Sequence, residues 1–163
     1  MEPSFSRRQS QTQTAPFEFV SHSSAPGKPW KREGSGEAIF EWAGRQMTLE
    51  EKGTWWEQTP GAPKRHAFRK LVQLDKSQPN QITVRKHTPD EKLIELLTLE
   101  RGENDRWTSP SPHVCIHDLY RAELFLDSTD SLHITWWSQG PEKNYDIRTV
   151  YQNASLIRDW LNS

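Results

Sequence analysis

"EAIFEWAGRQMTLEEKGTWWEQ" (residues 37–58) decides how the rest of the chain is read. In "EAIFEW" (37–42), Ala38, Phe40 and Trp42 fall on one face and Ile39 and Glu41 on the other. That period of two belongs to a half-buried strand. "AG" (43–44) suits a tight turn, and "RQMTLEEKGTWWEQ" (45–58) runs back as the second arm of a hairpin. "TPGAP" (59–63) then breaks the pattern with turn residues.

Working outward, "HAFRKLVQLD" (66–75) and "QITVRKH" (81–87) form a further pair across "KSQPN". In "KLIELLTLER" (92–101), Leu93, Ile94 and Leu97 also suit a helical face, but a position between hairpins favours a strand. "GENDRWTSPSP" (102–112) reads as a loop. Two long strands follow, "HVCIHDLYRAELFLD" (113–127) and "SLHITWWS" (131–138), turning at "STD"; after "QGPEKN", "YDIRTVYQN" (145–153) is the last. "SLIRDWLNS" (155–163) is expected to be a short helix with Ser155 as its N-cap and Leu156, Ile157 and Trp160 facing the protein.

Upstream of the hairpin, residues 1–16 are rich in Ser, Gln and Thr, carry no period and read as a disordered tail. "FEFVSH" (17–22) is a candidate first strand, and "SSAPGKPWKREGSG" (23–36) a loop with Trp30 plugging one end of the core. Residues 17–163 then make one β-barrel domain. The expected fold is all-β: an antiparallel up-and-down barrel, calycin- or lipocalin-like, of about eight to nine strands with a short C-terminal helix. A barrel of about eight strands has room inside for one small ligand.

Composition agrees with such a core. Only 33% of the 163 residues are hydrophobic, but eight are tryptophans. Each aromatic ring buries roughly 150–250 Å², so few residues close the interior. The 21 basic and 22 acidic residues are interspersed, giving a net charge of −1, which argues against a nucleic-acid partner. "PKRHAFRK" (63–70) is basic and reads as a solvated strand edge. No apolar run has the length of a membrane span, the N-terminus lacks a secretory signal, and a single cysteine makes no disulfide framework. A cytoplasmic protein that does not contact membranes is expected.

The spacing H-x-C-x-x-D-x-Y (His113, Cys115, Asp118, Tyr120) followed by W-x-x-x-G-P-x-K-x-Y (Trp136, Gly140, Pro141, Lys143, Tyr145) resembles an uncharacterised family, domain of unknown function 6314. "GSGEAIF" (34–40) is similar to the G-x-G-x-A-x-F element opening that family's first hairpin, and the resemblance covers roughly residues 30–153. It implies a small barrel of lipocalin-like shape and carries no established activity. Asn144 stands where an acidic residue often follows the family lysine.

The chemistry concentrates in "SPHVCIHDLY" (111–120). On a regular strand His113, Cys115 and His117 would share one face at steps of about 7 Å, one side of a zinc site that His133 or His66 would complete. The family spacing has no counterpart of His117, so no metal and no cofactor is expected. A one-residue bulge near Ile116–His117 would instead turn His113, Cys115, Asp118 and Tyr120 to one side. Lys143, on a face with Tyr145, would answer from the last strand by pairing with Asp118, since an unpaired buried ammonium is costly.

Two functions follow. In the first the barrel binds a small hydrophobic or aromatic molecule, with Cys115, Trp136, Lys143, Tyr145, Phe40 and Trp42 lining the site. In the second it is a cofactor-independent isomerase or cyclase acting on a small metabolite, with His113, Asp118 and Tyr120 as acid–base groups. Cys115, in apolar surroundings, is filler rather than nucleophile. "TWWEQTP" (54–60) and "TWWSQGP" (135–141) each turn one indole inward, as core or as a stacking wall. The count of inward-facing polar groups separates a solid core from a site.

Overall fold

The computed structural model describes residues 10–27, 29–58, 61–110 and 118–163, with the backbone of His113–Cys115. Its strands are β1 (Gln11–Ser23), β2 (Trp30–Ala43), β3 (Gln46–Glu57), β4 (His66–Gln78), β5 (Gln81–His87), β6 (Leu93–Arg101), β7 (Trp107–Thr108), β8 (His113–Cys115), β9 (Asp118–Leu126), β10 (Leu132–Gln139) and β11 (Asn144–Tyr151). One helix, α1 (Ser155–Asn162), follows. Every ladder is antiparallel. The order runs β10-β11-β1-β2-β3-β4-β5-β6-β7-β9, and pairing of β9 with β10 closes the ring. β8 is an extra strand on β9 outside that ring. The barrel is therefore closed by ten strands, more than the eight or nine expected.

Several boundaries differ from the sequence reading. β1 begins at Gln11, so residues 11–16 are strand rather than tail; their register runs from Gln11 opposite Trp42 to Pro16 opposite Glu37. Pro16 is tolerated because its missing N–H would point toward β11 just beyond the end of that ladder, where its carbonyl accepts from Gln152 N–H. Trp30–Gly36, expected as loop, is the first half of β2. Trp107–Thr108 interrupts the expected loop 102–112 and bridges β6 to β9. Residues 113–127 are not one strand: β8 pairs back on β9, with His113 opposite Tyr120 and Cys115 opposite Asp118.

The glycines at the start of the long hairpin have a steric cause. A Cβ on Gly36 would lie 2.0 Å from the Lys52 carbonyl oxygen, and one on Gly53 would lie 2.2 Å from that of Ser35. These two residues are register partners, and β2 and β3 approach there more closely than side chains allow. Gly44 turns the hairpin at φ +61°, a conformation glycine adopts without strain.

The interior is filled unevenly along the barrel axis. At one end Trp42, Met47, Leu74, Leu99, Leu124 and Leu132 are buried together, and α1 covers them with Ile157, Trp160 and Leu161. Leu156, expected on that face, is exposed, and the N-cap is Ala154 rather than Ser155. Trp160 Nε1–H donates to the Gly44 carbonyl at 3.1 Å, and the Lys76 ammonium donates to the carbonyls of Trp160, Leu161 and Ser163 at 3.1, 3.0 and 2.6 Å. The opposite end is hollow. Among the described residues no helix is long and apolar enough to cross a membrane.

Candidate site in the barrel interior

Alternation sends Phe68, Lys70, Val72, Leu74 and Lys76 of β4 inward, and their neighbours Met47, Leu49 and Glu51 of β3 to the same face. The hollow end comprises two adjoining lobes of about 420 and 430 Å³ that share Lys70, Tyr145 and Ile147. The first is walled by Phe19, Trp30, Trp55 and Phe68, with Arg32 and Glu51 at its edges. The second is walled by Val72, Leu96, Leu97, Tyr120 and Trp136, with Ser138 and Lys143 among its polar residues.

The aromatic wall is interlocked. Phe68 meets Phe17 and Phe19 edge-on, with ring centroids 6.1 and 5.8 Å apart. The Arg32 guanidinium lies between the Trp30 and Trp55 rings, 4.0 and 4.7 Å from their centroids. It also bonds Glu57 at 3.0 Å, which fixes it as a strut at the rim. Such contacts hold the indoles apart and keep the lobe from collapsing.

Two interior charges face each other across β3 and β4. Glu51 and Lys70 are register partners, but Glu51 accepts its hydrogen bond from the Tyr151 hydroxyl. Burial, reinforced by Glu51, pushes the Tyr151 phenol well above its usual range, so it stays a donor. Lys70 is half-buried, and desolvation lowers its ammonium pKa; Glu51 opposes that shift and Lys86 adds to it. Its Nζ sits 5.2 Å from the centre of the Trp136 ring. Ser138 Oγ, in the wall of the second lobe, is buried and has no hydrogen-bond partner among the described residues.

Of the residues singled out from the sequence, Trp136, Tyr145, Lys143 and Tyr120 line the second lobe, and Tyr145 also lines the first. Lys143 Nζ lies 3.5 Å from Asp118, with the two side chains 51% and 24% exposed. That pair joins the β10–β11 turn to the first residue of β9, rather than reaching across from the last strand as expected. The Tyr120 hydroxyl and then the Asp118 carboxylate raise the Lys143 pKa, so it stays protonated. Phe40 and Trp42 do not line either lobe; both are packed core, with Phe40 against Tyr151 at 5.3 Å. The side chains of His113, Cys115 and His117 lie outside the described residues, as does the expected bulge at 116–117. What aligns positions 113 and 115 with Tyr120 and Asp118 is the pairing of β8 on β9.

Lys70 and Glu51 were not anticipated, although a signal existed. Each keeps the period-two phase of an apolar face, Lys70 with Phe68 and Val72, Glu51 with Met47 and Leu49. The basic run around Lys70 suits a solvated edge by composition, whereas β4 is an interior strand of the closed ring, between β3 and β5.

The chain matches, over residues 23–153, the family described as Family of unknown function (DUF6314). No curated protein and no solved structure matches it.

Proposed function

Since the chain belongs to this family of unknown function, no activity is inherited, and we propose from the geometry that the barrel binds a hydrophobic or aromatic small molecule in its hollow end. The observation that carries this reading is the pair of adjoining lobes walled by indole, phenyl and aliphatic groups beside a solid, helix-capped half. Ligand sites are typically concave and mostly apolar, with a few convergent polar groups that fix orientation. Lobes of about 420 and 430 Å³ fall in the range of such sites. A barrel acting only as a rigid adaptor has no need to keep that volume open, because voids cost stability.

Proton transfer by His113, Asp118 and Tyr120 has less support. Lys143 is held protonated between Tyr120 and Asp118, which makes the mouth a fixed charge pair suited to orienting a polar group.

Tryptophan emission titrated with the uncharged probe N-phenyl-1-naphthylamine tests the reading. Saturable quenching in the wild type is expected. Ile147 borders both lobes, so Ile147→Trp should fill them and abolish the signal while the far-ultraviolet spectrum is unchanged. Absence of saturable quenching in the wild type, or binding untouched by Ile147→Trp, would refute an interior site.

A further inference from the structure

Four cations line the lobes besides Lys70, and each is already committed or reaches solvent. Arg32 is clamped between two indoles and bonded to Glu57. Lys143 is paired with Asp118. Lys86 and Arg121 are exposed side chains at the second lobe. Lys70 differs from all of them: it is half-buried, it borders both lobes, and among the described residues its ammonium makes neither an ion pair nor a hydrogen bond.

The carboxylate beside it attracts the ammonium but makes no direct bond to it. Glu51 is the register partner of Lys70 on the adjoining strand, the position from which a structural ion pair would be made. That carboxylate is instead engaged by the Tyr151 hydroxyl. The Trp136 ring lies under the ammonium, 5.2 Å from its centroid, a partial compensation. A partly desolvated ammonium that no carboxylate touches gains from an anion placed directly against it, and the open volume next to it is where that anion can enter.

We infer that Lys70 is the anchoring residue for an anionic amphiphile, a small molecule with a carboxylate head held at the junction of the lobes and an apolar body lying along their walls. The inference rests on the interior-binding reading above and specifies its ligand class. Ser138, with its unpartnered hydroxyl in the wall of the second lobe, supplies a further polar contact. The Phe68, Trp136 and Ile147 surfaces receive the body. A cationic amphiphile is disfavoured by the same charge, and a neutral one leaves the ammonium unpaired.

Two matched ligand pairs test this on the full chain by competition against N-phenyl-1-naphthylamine: dodecanoate with dodecanol, and 2-naphthoate with 2-naphthalenemethanol. The wild type should bind the acid of at least one pair about tenfold or more tightly than its alcohol, the scale of one desolvated charge pair. Lys70→Met, which keeps the length and apolar stem, should remove that preference yet still bind the alcohol; Lys70→Arg should retain much of it. Equal binding of acid and alcohol by the wild type, or an acid preference that survives Lys70→Met, overturns the anchoring role and leaves the interior site standing. Failure of N-phenyl-1-naphthylamine and of all four ligands to bind removes the interior site and the anchor together.

Discussion

Lys76 and Lys70 are two residues of one strand, six positions apart and on the same inward face, with opposite circumstances. The Lys76 ammonium is satisfied by three carbonyls at the end of α1, which ties the helix to the barrel wall. Lys76→Met leaves those buried acceptors short of a charged donor, and a loss of about 2–4 kcal/mol is expected. Urea unfolding checks the total, and hydrogen exchange in α1 should rise first because the helix loses its tether. Lys70→Met should by contrast be neutral or stabilising in the unliganded protein, since it replaces an unpaired charge by a thioether. Both lysines were legible as in-phase with an apolar face. Which of them met acceptors and which met empty volume depended on residues such as Trp160 and Glu51, distant from them in the chain.

At the scale of elements, the β9–β10 hairpin is held by Asp127. Its carboxylate accepts from the Thr129 hydroxyl at 2.7 Å, from the Thr129 and Ser131 N–H groups at 2.8 and 3.1 Å, and bonds His133 at 2.8 Å. The Thr129 hydroxyl and then His133 hold its pKa well below the ordinary 3.8. A carboxylate depressed in the folded state binds fewer protons there than when unfolded, so its stabilising effect is complete above about pH 5 and is lost as acid drives it toward the folded value. Asp127→Ala should therefore lower the urea midpoint at pH 7, with the gap to wild type narrowing steadily below about pH 4. A gap that is constant with pH would show the turn to be indifferent to the charge. Hairpins with a clean period, such as 37–58, were read directly. The ends of β1 and β2 were not, because polar residues at 11–16 and 30–36 become strand only through pairing with each other's neighbours in a closed ring. The β8–β9 pair is not legible because the break in alternation between Cys115 and Asp118 suits a one-residue bulge in one strand as well as two strands paired back to back.

For the whole molecule, the division between a solid half and a hollow half is what gives the barrel a site. α1 seals the solid half with Ile157, Trp160 and Leu161, all buried. Trp160→Ala removes a large buried ring and its hydrogen bond to Gly44, and should cost about 3–5 kcal/mol. That is a large share of a typical domain's stability. The variant should melt well below wild type in a thermal scan; a shift of only a degree or two would mean the helix is an ornament on a self-sufficient barrel. At this scale Phe40 and Trp42 part from the other residues expected at the site. Alternation correctly sends both inward, but they lie in the filled half and do not border the lobes.

The sequence by itself determined that the chain is all-β, that its hairpins follow one another, that a helix ends it, and which face of most strands is apolar. These are local properties: a period of two and a turn residue act over a few neighbours. Only the tertiary structure decided that ten strands close the ring, how far along the axis each inward residue lies, and which inward charge meets a partner. Strand tilt and register set those outcomes by bringing residues together across the barrel, so that Glu51 meets Tyr151, one hundred positions away, and leaves Lys70 facing open volume.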